Sequence, residues 1–128
     1  MVARVRQISR NLLVGCGLWA MAGSAAAAQE ALVGFGGEIR VLDKLTGNVQ
    51  DVYLLPEGTA QIGFLGIELT ECRYPASNPS GDAYIFLKLT YRDTDEPLFN
   101  GWMIASAPAL NALDHPRYDV WALRCITS

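Results

Sequence analysis

From residue 38 onward the chain alternates. Glu38-Ile39-Arg40-Val41-Leu42-Asp43 sends polar and apolar side chains to opposite sides of an extended backbone, the period of a half-buried strand. Thr46-Gly47-Asn48 supplies a turn, and Val49 to Leu55 reads as the return strand, so residues 38–55 form a predicted hairpin. Pro56-Glu57-Gly58-Thr59 is a second turn. Ala60 to Phe64 is a short strand, Leu65-Gly66 a tight connection, and Ile67 to Arg73 the next strand. The polar stretch 75–82 carries Pro75 and Pro79, which cannot donate to a ladder, and reads as a loop.

Ala83 to Tyr91 has the clearest pattern. Ala83, Ile85, Leu87, Leu89 and Tyr91 share one face; Tyr84, Phe86, Lys88 and Thr90 share the other. The second face is partly aromatic, which predicts a central strand. Residues 92–97 form an acidic turn. Leu98 to Ala105 is another strand, with Gly101 as a bulge or point of close approach. Pro108 to Leu113 is the one stretch with helical character, with Ser106 as its cap and Pro108 at an early position. Tyr118 to Ile126 is the last strand, with Trp121, Leu123 and Cys125 on one face. Seven to eight short strands with turn signals every 8–12 residues predict an all-β fold: a small antiparallel barrel or sandwich with one short helical turn.

The first 28 residues obey different rules. Arg4, Arg6 and Arg10 precede an apolar run from Leu12 to Gly23, and Ala25-Ala26-Ala27-Ala28 comes next. This is the pattern of a secretory signal peptide, with cleavage expected after Ala28. The run is short for a retained span, which needs about 20 residues. Leu13-Val14-Gly15-Cys16 resembles a lipobox, and lipidation at Cys16 is the minor alternative. The expected organisation is a signal peptide at 1–28, a Gly-rich flexible entry segment at 29–37, and a single all-β domain at 38–128. The expected location is the periplasm, and the mature chain holds no predicted membrane span.

Removing the leader takes three arginines and no acid, which moves the formal net charge from −3 to −6. That disfavours nucleic acid and anionic lipid as partners. It also leaves two cysteines, Cys72 and Cys125, which in an oxidising compartment predict one intramolecular disulfide. The pair lacks the C-x-x-C spacing of redox sites. With His115 the sole histidine, no zinc site and no cofactor are predicted.

The C-terminal third carries a distinctive run: Gly101-Trp102-Met103, Ala105-Ser106-Ala107-Pro108-Ala109-Leu110, His115-Pro116-Arg117-Tyr118-Asp119-Val120-Trp121, and then Cys125. It resembles the domain-of-unknown-function family numbered 2155, found in alphaproteobacteria. Leu42-Asp43-Lys44, Thr46-Gly47 and the residues from Ile67 to Cys72 agree as well. The resemblance implies an envelope-located secreted protein and no particular activity. Through the neighbourhood of family genes to that of a small accessory subunit of respiratory complex I, it points to the periplasmic side of a respiratory complex.

Three constellations carry candidate chemistry. Ser106 with His115 and Asp114 or Asp119 has the residue types of a nucleophile, base and orienting acid, but no G-x-S-x-G elbow. The expected roles are structural: a helix cap for Ser106, and backbone hydrogen bonds in the turn before Pro116 for Asp114 and His115. Asp93, Asp95 and Glu96 offer oxygens, but too few and without the glycine of a calcium loop. Trp102, Trp121, Tyr118 and Tyr84 are candidates for an aromatic platform, but in so small a domain most of them are expected in the core. Trp121 is expected to pack against the disulfide, Trp102 to face a partner. The expected partner surface comprises Trp102, Ser106, His115, Arg117 and Tyr118. The expected function is a non-enzymatic accessory or scaffold module for an envelope or inner-membrane complex. The alternatives are a small binding domain for a cell-wall sugar or peptide and, remotely, a hydrolase.

Overall fold

The computed structural model describes residues 30–92 and 94–127. The expected signal peptide, the Cys16 lipobox and Asp93 lie outside the described residues. Eight strands run through the described residues: β1 (Ala31–Val33), β2 (Gly37–Asp43), β3 (Val49–Leu54), β4 (Gly58–Ile62), β5 (Leu65–Pro75), β6 (Tyr84–Tyr91), β7 (Phe99–Ile104) and β8 (Tyr118–Cys125). A three-residue 3-10 turn at Pro108–Leu110 lies between β7 and β8. It takes the place of the predicted helical stretch, and no side chain caps it.

All pairings are antiparallel, and they form two sheets. The larger runs β1-β5-β6-β7, with β4 pairing the same edge of β5 beyond the reach of β1; the smaller runs β3-β2-β8. The sheets do not close into a barrel, so the fold is a sandwich. β6 is central, between β5 and β7. Its predicted inward face is the observed one: Ala83, Ile85, Leu87 and Leu89 are fully buried. They meet Leu65, Ile67 and Leu69 of β5, Ile39 and Val41 of β2, and Tyr118, Val120 and Ala122 of β8 in one core. Each such aliphatic side chain contributes about 1.5–3 kcal/mol by leaving water.

The disulfide joins Cys72 of β5 to Cys125 of β8 and ties the two sheets together. Simple alternation does not bring both cysteines inward. In β5 the ladder slips between Leu69 and Glu71, and in β8 between Ala122 and Arg124, so Thr70 and Leu123 are extra residues. Each bulge inverts the facing of the residues beyond it. Leu69 and Cys72 therefore both point into the core, as do Ala122 and Cys125. This overturns the expectation for Trp121. Counting by twos places it with Cys125, but the extra Leu123 puts it on the opposite face, half-buried, beside Arg40.

The tight turn after β4 is Gly63-Phe64 rather than Leu65-Gly66. Gly63 takes φ +59°, which glycine adopts without strain, and Leu65 is fully buried. Gly66 thus stays within β5, with Thr90 Oγ1 and Gln61 Oε1 close over it. Inside the stretch expected to be a flexible entry, Ala31–Val33 form β1, and residues 34–36 cross from one sheet to the other beside the disulfide. Gly34 N–H donates to Cys72 O (2.7 Å) and Phe35 N–H to Ile126 O (2.7 Å), while Gly36 O accepts from Ile126 N–H (2.9 Å).

Candidate functional site

The chemically suggestive side chains fall at three separate places, and two are used by the fold itself. At the start of β6, Asp82 Oδ1 accepts from the backbone N–H of Ala83 (2.8 Å) and of Ser106 (3.0 Å), and Oδ2 accepts from Ser106 Oγ (2.6 Å). Ser106 therefore pins the end of β7 to the preceding loop; it does not cap a helix. At the opposite end of β6, the His115 ring packs on Tyr91 with centroids 4.7 Å apart. An eight-residue strand is roughly 26 Å long at about 3.3 Å per residue. Ser106 and His115 are separated by that length, so the Ser/His/Asp arrangement is not assembled.

His115 serves the turn that leads into β8. Its Nδ1 accepts from the N–H of Arg117 (3.0 Å) and of Tyr118 (3.3 Å), a backbone role as expected but with groups that follow Pro116 and do not precede it. Tyr118 is fully buried, and its hydroxyl accepts from Phe64 N–H (3.1 Å), so it offers no surface. Arg117 is half-buried and grips Asp43, Nη2 to Oδ2 at 2.9 Å, while also lying over the Phe64 and Tyr118 rings. The Arg117 guanidinium holds the Asp43 carboxyl below the usual carboxylate range, helped by the Leu45 N–H. Arg40 does the same to Asp51 across β2 and β3. In β2, Glu38 is buried beneath the exposed Arg124, its ion-pair partner.

The third place is the outer face of the larger sheet. Trp102 of β7 stands opposite Phe86 of β6 in the ladder, and their rings meet edge-to-face at 5.2 Å. Arg73 of β5 lies over the Trp102 ring at 5.4 Å and is ion-paired with Glu71 (2.8 Å). Tyr84 and Ile104 complete a shallow hollow of 370 Å³. No described element covers these side chains. Of the five residues expected to share a partner surface, Trp102 alone lies on this face. Ser106, His115, Arg117 and Tyr118 are placed at the two ends of β6.

The same face continues along β6 into polar ground. Thr59, Gln61, Glu68, Lys88 and Thr90 line a groove of 460 Å³ that reaches Gly66. Sequence reading passed over these residues because isolated polar positions on a strand carry no motif. The available signal was the outward face of Ala83–Tyr91, where aromatic residues at 84 and 86 give way to Lys88 and Thr90. Among the described residues, no three His, Cys, Asp or Glu side chains gather so as to hold a metal ion. No helix among them is long and apolar enough to cross a membrane.

Comparison with known proteins gives two findings. Residues 37–125 match the model of a family described as an uncharacterized protein conserved in bacteria (DUF2155). The chain is also 29% identical over 92 residues to an uncharacterized protein, RP359, of Rickettsia prowazekii (strain Madrid E), a match covering 70% of this chain and 59% of that one. The chain therefore spans under two-thirds of its relative's length. No solved structure matches it.

Proposed function

The chain belongs to the DUF2155 family, and we propose that it is a non-enzymatic module of the bacterial envelope that works by docking. It is exported by the signal at residues 1–28, acts in the periplasm, and supports an envelope component or an inner-membrane complex. One observation carries this reading: Trp102, Phe86 and Tyr84 form an aromatic patch on a sheet face that no described element covers. Aromatic side chains with arginine beside them are the usual anchors of a recognition surface. Support also comes from the groups with catalytic potential. Ser106 is bonded to Asp82, His115 to two backbone N–H groups, and Arg117 to Asp43.

The test is affinity purification of the tagged chain from gently solubilised membranes, with mass spectrometry of what accompanies it. The expected result is a stoichiometric envelope component that is retained by Trp121→Ala and lost with Trp102→Ala. Recovery of the chain alone, or a companion indifferent to Trp102→Ala, overturns the docking role assigned to this face.

A further inference from the structure

The component that docks on the larger sheet has a chemistry the face itself specifies. From Tyr84 to Thr90 the outer side of β6 spans six residue steps, about 20 Å. It passes from the Trp102 hollow into the groove over Gly66. A Cβ at residue 66 would stand 2.5 Å from Thr90 Oγ1, so glycine there lets the Thr90 hydroxyl turn in against the floor of the groove.

Charge balance narrows the occupant. Four charged side chains share this face with the aromatic residues: Glu68, Glu71, Arg73 and Lys88. They cancel, on a chain that is acidic overall. Glu71 and Arg73 are already paired. Glu68 and Lys88 are ladder partners, yet among the described residues no ion pair joins them, so each keeps hydrogen-bonding capacity. A locally neutral face with donors and acceptors intermixed suits a neutral polar ligand better than an ionic one.

Backbone commitment narrows it again. β5 and β6 are inner strands, bonded on both sides. An extended peptide binds by adding to a free strand edge; the free edges of this sheet lie at its sides, on β4 and β7, and not along β6 where the hollow and the groove run. Beside the paired Glu71 and Arg73, the face offers ring faces, hydroxyls, the Gln61 amide, the Glu68 carboxylate and the Lys88 ammonium. A saccharide ring meets that set, with an apolar C–H face for an aromatic side chain and a rim of hydroxyls that both donate and accept.

We propose that this face binds a neutral oligosaccharide of the envelope, laid along β6. One sugar stacks in the Trp102–Tyr84 hollow, and the next units are hydrogen-bonded by Glu68, Lys88 and Thr90. The inference rests on the reading of this face as the docking surface and names the class of ligand.

The experiment titrates the purified, disulfide-bonded chain with a tetramer of N-acetylglucosamine, and with a β-1,4-linked glucose tetramer for comparison. Isothermal calorimetry reads binding. Tryptophan fluorescence in a Trp19→Phe, Trp121→Phe background localises the signal to Trp102, the one tryptophan then left of three. Saturable binding of either tetramer is expected, at least tenfold weaker in Trp102→Ala and in Glu68→Gln, and unaltered by Trp121→Phe, with melting temperatures confirming that each variant folds. Binding that Glu68→Gln leaves intact overturns the groove assignment. Absence of binding at millimolar tetramer, with Trp102-dependent capture of an envelope partner preserved, overturns the saccharide and leaves the docking role standing. Absence of both overturns both.

Discussion

Asp43 sits where a strand ends and holds three things at once. It accepts from Arg117 across 74 residues of chain, from Leu45 N–H within its own turn, and its main chain closes the β2–β3 hairpin through Asn48 O and Gly47 N–H. Arg117 holds its carboxyl below the ordinary range. A depressed carboxylate value means that the ionised form stabilises the fold. That contribution is fully present above the unfolded value near 4 and is lost as pH falls through the lower folded value. Asp43→Asn should therefore melt below the parent at pH 7, and the gap should narrow as pH drops below about 4. A gap that stays constant from pH 7 to pH 2 would show the pair to be idle. Arg117 stood out in sequence because its neighbours were distinctive. Its partner did not, since nothing local links residues 43 and 117.

The strands were legible wherever alternation ran unbroken. β6 is the best case: both of its faces come from counting by twos, and its central place from having aromatic residues on the outer one. β8 shows where counting fails. One extra residue, Leu123, reverses the facing of everything after it, and no propensity marks a bulge made of ordinary residues. The glycines at 34, 36 and 37 read as looseness, because composition reports permissiveness and not what stands nearby. Gly36 has φ +133°, and a Cβ there would lie 2.2 Å from Leu54 O. Gly36→Ala should thus destabilise the chain by about 2 kcal/mol or more, read as a lower urea midpoint with an unchanged slope. A midpoint equal to the parent's would return this crossing to the status of a loose connector.

As a whole the molecule is a thin sandwich held by one core and one bond between its sheets. The bond closes a loop with a sequence separation of 53. In the chain-entropy description that is worth roughly 4 kcal/mol, on the order of 20 °C in melting temperature for a domain of about 100 residues. Reduction should lower the melting temperature by that amount, and reduced and oxidised samples that melt together would deny the bond its role. The cysteine pairing and the all-β class were both readable from the sequence. Less readable was the location of the candidate surface. The distinctive run from Gly101 to Cys125 drew Trp102, Ser106, His115, Arg117 and Tyr118 into one imagined patch. Folding distributes them along the length of β6, because β7 and β8 belong to different sheets and the connection between them travels from one end of the sandwich to the other.

The paired bulges have a consequence for how such a chain is made. Cys72 points inward only if Thr70 is accommodated in one sheet, and Cys125 only if Leu123 is accommodated in the other. A slip of one residue in either strand turns its sulfur towards solvent, where no partner waits. Closure of the covalent link is therefore conditional on both sheets being correctly aligned, and it works as a checksum on two independent alignments. A thiol that stays reactive under oxidising conditions would mark a chain whose strands have paired one step out of place.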